Sequence, residues 1–122
     1  MTEIACHLRD VETEVHSVRY KVMLEENDPF VSGVDSDVWA EARNYQEQDG
    51  PAALAAFTAE RWANVERLRA LSPADWLRPV RHAIIGPSTF AEIVRIAIEH
   101  DRLHVRQIAD TLAARRSQSI SL

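Results

Sequence analysis

Residues 89–115 read TFAEIVRIAIEHDRLHVRQIADTLAAR, and this stretch establishes the class of fold. Apolar side chains and two histidines recur in it at spacings of three and four residues, which places them on one face of an α-helix. This inward face comprises Phe90, Ile93, Ala97, His100, His104 and Ile108. Thr89 forms a capping-box pattern with Glu92, three residues later. We therefore predict a long helix that begins at Thr89 and continues to about Arg115.

His100 and His104 are the polar members of this inward face. At positions i and i+4 their Cβ atoms lie about 6 Å apart, close enough for two imidazoles to share one metal ion. The spacing alone is common in helices. Buried imidazoles need hydrogen-bond partners, however, and two protonated imidazoles repel each other. A divalent ion meets both needs, so the pair is a candidate metal site.

A second amphipathic helix is predicted from Thr2 to about Asn27, ending before Asp28-Pro29. Its apolar stripe comprises Ile4, Leu8, Val11, Val15, Val18 and Val22. His7 borders this stripe and is the third candidate ligand. Together with the pair on the last helix it would make a three-histidine site with an open position for water or substrate. His16 lies nine residues further on, about 180° around the helix, and is predicted to face solvent.

Shorter segments are predicted between these two helices. They are a loop over residues 30–34, a short helix from Asp35 or Ser36 that carries Trp39 and Tyr45, a helix from Pro51 to about Leu71, one helical turn after Ser72 that ends near Trp76, and an irregular connection over residues 77–87. The inner face of the longest of these is predicted to carry Leu54, Phe57, Val65 and Leu68. The whole pattern indicates one all-α domain over residues 1–122, an up-down helical bundle with three long helices and short connecting helices, and a frayed tail over residues 117–122.

Composition narrows the classes of function. The 122 residues include 19 acidic and 14 basic side chains, a net charge of −5, which gives no general basic field for nucleic acid or anionic lipid. No uncharged apolar run is long enough to span a bilayer. The single cysteine, Cys6, cannot form an internal disulfide. We therefore expect a cytoplasmic protein that binds neither nucleic acid nor membrane.

Polar residues near the candidate ligands suggest further roles. Asp10 and Glu14, one and two turns after His7, are placed to orient the ligands or act as a base, or else belong to a solvated face. Arg61 and Asn64 interrupt the inner face of their own helix. They could bind an anionic substrate group, or Arg61 could pair with Glu14 or Asp101. His82 is expected to be either a residue at the rim of the site or an exposed turn residue. Cys6 points away from the apolar stripe and is not expected to be a ligand.

Two segments of the chain resemble the histidine motifs of the DinB-like (YfiT-type) superfamily of four-helix-bundle metalloproteins. They are EIACHLRDVE, residues 3–12, and EHDRLHVRQI, residues 99–108. The intervening segments DSDVW, FTAER and GPSTFAE also resemble the family pattern, in the same order. The resemblance implies that His7, His100 and His104 bind a divalent metal. It also implies metal-dependent hydrolysis, thiol transfer with a bacillithiol- or mycothiol-like cosubstrate, or isomerisation as the chemistry.

The chain departs from that family at its beginning. Members usually carry a further helix before the first histidine segment, and here Met1 falls after that point. A helix of about 20 residues would bury five or six aliphatic side chains, a contribution on the order of 10 kcal/mol. Either the chain begins late relative to the natural gene product, or a partner subunit replaces the missing helix. Of the two we expect the partner subunit, in a homodimer.

Two functions follow as expectations. The first is a metal-dependent enzyme, a hydrolase or thiol transferase, that uses Zn²⁺, Ni²⁺, Fe²⁺ or Mn²⁺ and acts on a small molecule, with a low-molecular-weight thiol as a candidate cosubstrate. The second is a non-catalytic dimeric helical module that binds another protein or a small ligand. Stoichiometric metal distinguishes the first from the second.

Overall fold

The structure is a computed structural model that describes the backbone of residues 1–120 and the side chains of residues 1–118. The helices are α1 (Thr2–Val11), a π-helical turn (Glu12–His16), α2 (Ser17–Glu25), α3 (Trp39–Ala42), a 3₁₀ turn (Tyr45–Glu47), α4 (Gly50–Arg69), α5 (Pro73–Trp76) and α6 (Phe90–Ile120). The strands are β1 (Phe30–Val31), β2 (Pro79–His82) and β3 (Gly86–Thr89). The chain is thus a mostly helical bundle with three long helical segments, as predicted, and a small sheet that was not predicted.

The π-helical turn joins α1 and α2 into one continuous helix. The backbone remains helical on both sides of it, with φ/ψ of −61°/−47° at Glu12 and −60°/−43° at Ser17. A π turn accommodates one extra residue, so every side chain after it lags by about 100°. The inward stripe therefore continues through Tyr20 and Met23, and the predicted core residue Val18 is 51% exposed.

Helix α4 packs against α1 through its smallest residues. Asp49 caps it by accepting a hydrogen bond from the Ala52 backbone N–H at 3.0 Å. A Cβ atom on Gly50 would lie 2.8 Å from Oγ1 of Thr2, so this close approach requires glycine. The buried face of α4 begins with Gly50 and Ala53, whereas Leu54, predicted to face inward, is 50% exposed. The prediction for Leu54 was wrong because the buried face of α4 is formed by the small residues Gly50 and Ala53, and Leu54, the residue after Ala53, is turned away from it.

The predicted irregular connection over residues 77–87 is a β-hairpin. Strands β2 and β3 pair antiparallel, with Val80 opposite Ser88. Strand β1, predicted as loop, pairs parallel with β2 and gives the order β1-β2-β3. Two prolines obscured the pattern, since Pro79 begins β2 and Pro87 lies in the edge strand β3, the positions at which a sheet tolerates proline.

Two local predictions for helix ends also changed. The predicted helix through Trp39 and Tyr45 is split, because Asn44 adopts a left-handed conformation with φ of 51°. The Thr89 cap was correct, and its Oγ1 accepts from the Glu92 backbone N–H at 3.3 Å. At its other end α6 continues to Ile120, five residues past the predicted end, so residues 117–120 are helical and residues 121–122 of the predicted frayed tail lie outside the described residues.

The larger core lies between α2, the sheet and the start of α6. Its buried residues are Tyr20, Met23, Val31, Val80, Phe90, Ile93 and Val94. A smaller cluster of Cys6, Tyr45 and Ala53 lies against α1. Among the described residues, no helix combines the length and the hydrophobicity that a membrane crossing requires.

Candidate metal centre

Three imidazoles converge where α1 meets α6. His7 comes from α1, and His100 and His104 lie one turn apart on α6. The Nε2 atom of His100 is 3.4 Å from that of His7 and 3.0 Å from that of His104. Ring nitrogens of all three lie within 4.8 Å of one another. The sequence therefore identified a set of histidines that the fold brings together.

The spacing of these nitrogens fits a shared ion. Two nitrogens bound at about 2.0–2.1 Å to one tetrahedral ion lie about 3.3–3.4 Å apart. The separation of 3.4 Å between His7 and His100 matches this value, and the 3.0 Å between His100 and His104 is slightly shorter. Three neutral imidazoles suit Zn²⁺, Ni²⁺, Fe²⁺ and Mn²⁺. Because they supply three donors, a four-coordinate ion would keep one position for water or substrate.

Gln107 orients one of these histidines and was missed by the sequence analysis. The Nδ1–H of His104 donates to Oε1 of Gln107 at 2.6 Å. With the proton held at Nδ1, the lone pair of Nε2 points to the convergence point, the arrangement usual for a metal-bound histidine. The signal was available, since Gln107 follows His104 by three residues on the same helical face.

The surroundings favour the neutral form of His100 and His7. Burial lowers the pKa of His100 to about 4, and the neighbouring His104, His16 and His7 contribute to the shift. Burial and His104 also lower the pKa of His7, against the opposing charges of Asp37 and Asp10. Neutral imidazoles are the form that binds a metal, so these two ligands are in the binding form at neutral pH.

His16 is buried, which overturns its predicted exposure. Only 6% of its surface is accessible, its ring stacks on Tyr20, and it meets His100 edge on at a centroid distance of 5.8 Å. The π turn is the reason, because one extra residue reduces the angle between His7 and His16 from about 180° to about 80°. Among the described residues, the Nε2 atom of His16 has no hydrogen-bond partner.

The carboxylates predicted to support the ligands lie one layer away from them. Asp10 accepts hydrogen bonds from the hydroxyl of Tyr45 at 2.6 Å, from Arg43 at 2.9 Å and from Arg9 at 2.8 Å. Glu14 is bound by Arg43 at 2.5 and 3.2 Å. Within the described chain, neither carboxylate hydrogen-bonds to one of the three histidines. Asp10 instead fixes Tyr45, whose ring forms part of the wall of the cavity beside the histidines.

Arg61 and Asn64, predicted as substrate-binding residues, have partners within the protein. The Arg61 guanidinium makes two bonds of 2.9 Å to Glu12 and bonds of 2.8 and 2.9 Å to Asp101. Asn64 donates to Glu12 at 2.9 Å and to Ser17 at 2.8 Å. The alternative pairing of Arg61 with Asp101 was correct, but its second partner is Glu12 and not Glu14.

His82 and Cys6 lie outside the centre. His82 is 7% exposed, and its Nδ1 accepts from the backbone N–H groups of Ile84 and Ile85 in the hairpin turn at 3.1 and 3.4 Å. It is therefore neither a residue of the site rim nor an exposed turn residue. The Sγ atom of Cys6 is buried 3.9 Å from the carbonyl oxygen of Tyr45, away from the histidines.

A cavity of about 750 Å³ opens beside the three histidines. Its wall includes Tyr45 and Leu103, and its rim carries the carboxylates of Glu3, Asp37 and Asp110. Such a volume is sufficient for a small molecule. The fold and this centre together define a helical-bundle protein with a three-histidine candidate metal site.

The comparisons with known proteins give this class a family. The model described as "DinB superfamily" matches residues 1–108, and the chain belongs to that superfamily. This confirms the resemblance found in the two histidine segments. No curated protein sequence matches the chain.

Solved structures share this fold, among them the following one. It is YfiT from Bacillus subtilis, described as "a probable metal-dependent hydrolase with an unusual four-helix bundle topology". The chain is similar to it with a TM-score of 0.78 and 21% sequence identity, over 89% of this chain and 62% of that one. At this identity the likeness establishes the fold, and the chain spans less than two thirds of the length of YfiT.

Proposed function

We propose that this protein is a metal-dependent enzyme that acts on a small molecule by hydrolysis or by thiol transfer. The observation that carries the proposal is the convergence of His7, His100 and His104 beside an open cavity. The Nε2 atom of His100 lies 3.4 Å from that of His7 and 3.0 Å from that of His104. Membership of the DinB superfamily and the description of YfiT as metal-dependent support it.

Each part of the centre has a role in this proposal. The three histidines would hold a divalent ion, Zn²⁺, Ni²⁺, Fe²⁺ or Mn²⁺. Such an ion supplies Lewis acidity that lowers the pKa of bound water toward about 7 and favours the thiolate form of a bound thiol. Gln107 holds the proton of His104 on Nδ1. Asp10 accepts the hydrogen bond of the Tyr45 hydroxyl and so positions Tyr45, which lines the cavity. A low-molecular-weight thiol is the candidate cosubstrate of the transfer reaction.

Metal analysis tests the centre. Protein purified without a nickel column is expected to bind about one divalent ion per chain, and His7→Ala, His100→Ala and His104→Ala are each expected to lose it. His82→Asn is the matched control, because asparagine keeps an acceptor for the hairpin N–H groups and His82 lies outside the centre. Full metal content in all three alanine variants would overturn the assignment.

Activity screens then separate the chemistries. Ester hydrolysis and thiol transfer, measured with the metal-loaded protein and with His104→Ala, are expected to show turnover in the former alone. The alternative function, a non-catalytic binding module, predicts neither turnover nor stoichiometric metal. Its supporting observation is the exposed apolar surface of α6, which includes Ile98, Val105 and Leu112.

We further propose that a second copy of the chain covers this surface in a homodimer. The described residues form three long helical segments, whereas YfiT is described as a four-helix bundle. An apolar groove of about 260 Å³ between α1, α4 and α6, lined by Leu8, Leu54 and Ile108, offers a further seat for a partner helix. We also propose that the protein is cytoplasmic, because its one cysteine is a free buried thiol. Its net charge of −5 favours partners other than nucleic acid.

A further inference from the structure

The charged residues at the rim of the cavity beside the histidines are acidic. Glu3, Asp37 and Asp110 line it, and all three are exposed to solvent at its rim. Within the described part of the chain, none of the residues that line it is lysine or arginine. Two buried polar side chains, Tyr45 and His104, which are 1% and 7% exposed, also line it.

Arg43 and Arg61 both form ion pairs with carboxylates of the protein. Arg43 pairs with Asp10 and Glu14, at 2.9 and 2.5 Å. Arg61 pairs with Glu12 and Asp101, at 2.9 and 2.8 Å. An anionic substrate would therefore find no guanidinium to bind it in this cavity. Of the two sequence-based alternatives for Arg61, these contacts favour the pairing with Asp101 over the binding of an anionic substrate group.

The negative charge remains when a metal is bound. Three neutral imidazoles add no charge and a divalent ion adds two positive charges, so the three rim carboxylates leave the loaded cavity with a net charge of −1. Asp37 and the three histidines line the same cavity, so its carboxylate faces the space that a bound substrate would occupy. Carboxylates at a cavity mouth raise the local concentration of cations and repel anions.

We propose that the substrate of this centre is a small molecule with a cationic group, such as a primary amine, which lies against Asp37 and Asp110 while its reactive atom faces the three histidines. The inference rests on the proposed function, because it assigns the substrate class of that same site. Glu3 extends the same negative rim from the α1 side.

Cobalt-loaded protein provides a test that does not depend on turnover. Three thiols with the same two-carbon spacer, cysteamine, 2-mercaptoethanol and 3-mercaptopropionate, carry a cationic, neutral or anionic end group. Each is titrated while the thiolate-to-cobalt charge-transfer absorption is recorded. The measured quantity is the ratio of the Kd of 3-mercaptopropionate to that of cysteamine, compared between protein variants so that the intrinsic basicity of the thiols cancels.

The expected result is a ratio that falls about tenfold in Asp37→Asn/Asp110→Asn relative to the unmodified protein. The same ratio should fall when NaCl is raised from 20 to 500 mM, since salt screens exposed charges. Glu25→Gln/Glu66→Gln removes two exposed carboxylates outside the cavity and is expected to leave the ratio within twofold. The visible cobalt spectrum verifies that the centre of each variant is intact.

Two failures are distinguishable. A ratio in Asp37→Asn/Asp110→Asn that stays within twofold of the unmodified protein, with cobalt bound, overturns the cationic substrate and leaves the metal centre in place. Absence of cobalt binding by the unmodified protein overturns the proposed function and this inference with it.

Discussion

Glu12 and Arg61 form a bidentate ion pair with two nitrogen–oxygen distances of 2.9 Å, and the Glu12 side chain is only 2% exposed. The same guanidinium reaches Asp101 on α6 at 2.8 and 2.9 Å. Arg61 therefore joins the π turn, α4 and α6 at one point. Because Asp101 directly follows His100, this network sets the spacing between the helices that carry the three histidines.

Arg61→Met is predicted to destabilise the protein strongly. It leaves the Glu12 carboxylate buried without its cation, and we expect the free energy of unfolding to fall by about 3 kcal/mol. Glu12→Gln/Arg61→Met is expected to recover part of this loss, because the buried charge is gone. Urea unfolding measures both. Arg69→Met breaks an exposed pair with Glu66 on the same helix and should change the free energy of unfolding by less than about 0.5 kcal/mol. A similar loss of stability in Arg61→Met and Arg69→Met would contradict the prediction.

Asp10 gives the protein a pH-dependent stability. Burial by itself would raise the pKa of Asp10, but hydrogen bonds from Arg9, Tyr45 and Arg43 outweigh it and leave the pKa below its ordinary value. A carboxylate with a lowered folded-state pKa stabilises the fold fully above the unfolded value of about 4, and this contribution disappears as the pH falls through the folded value.

Asp10→Asn is accordingly predicted to lower the free energy of unfolding by about 2 kcal/mol at pH 7, where charge-assisted hydrogen bonds are lost. The difference from the unmodified protein should stay constant down to about pH 5 and shrink below pH 4. Urea unfolding across this range measures it. Glu14→Gln, at a half-exposed carboxylate that shares Arg43, is the control and should cost less than about 0.5 kcal/mol. A difference for Asp10→Asn that does not change with pH would contradict the assignment.

The regular helices could be predicted because their periodicity is local. In α6 the spacing of Phe90, Ile93, Ala97, His100 and His104 survives folding unchanged, so both the helix and the shared face of its two histidines were predicted. His7 was placed on the inward side as well, because it precedes the π turn. The fold class and the convergence of the three candidate ligands therefore followed from residues in unperturbed helix.

The residues after the π turn could not be placed in the same way. The extra residue in the turn brings His16 into the core and moves Val18 out of it. The spacing of apolar residues that predicted the helix does not indicate such a turn. The partners of Arg61 depended on the same shift, since Glu12 lies in the turn itself. The sheet was missed for another reason, because Pro79 and Pro87 resemble a loop when the pairing of the strands is unknown.

Gln107 is predicted to control metal affinity through His104. Gln107→Ala removes the acceptor 2.6 Å from Nδ1 and should weaken metal binding about 10–100-fold without preventing folding. Gln107→Glu keeps an acceptor and should bind at least as tightly as the unmodified protein. Competition with a chromophoric chelator measures the affinity. Gln46→Ala, at an exposed glutamine that does not line the cavity beside the histidines, is the control. Equal affinities for Gln46→Ala and Gln107→Ala would remove Gln107 from the centre.

Self-association is predicted to depend on the outer stripe of α6. Ile98, Val105 and Leu112 recur every seven residues and are 46%, 66% and 42% exposed, so they form one apolar line along the helix. Monomers seldom leave such a line uncovered, and pairing with a second copy would bury it. Val105→Glu/Leu112→Glu should raise the dimer Kd at least about 100-fold, because each carboxylate would be desolvated in the interface. Sedimentation velocity measures this change, and Arg106→Glu, which places the same charge on the neighbouring exposed position, should leave the dimer intact. Val105→Glu/Leu112→Glu should keep its metal, since the histidines of α6 lie on another face of the helix. If the unmodified protein is monomeric at 100 µM, a second copy does not cover this stripe.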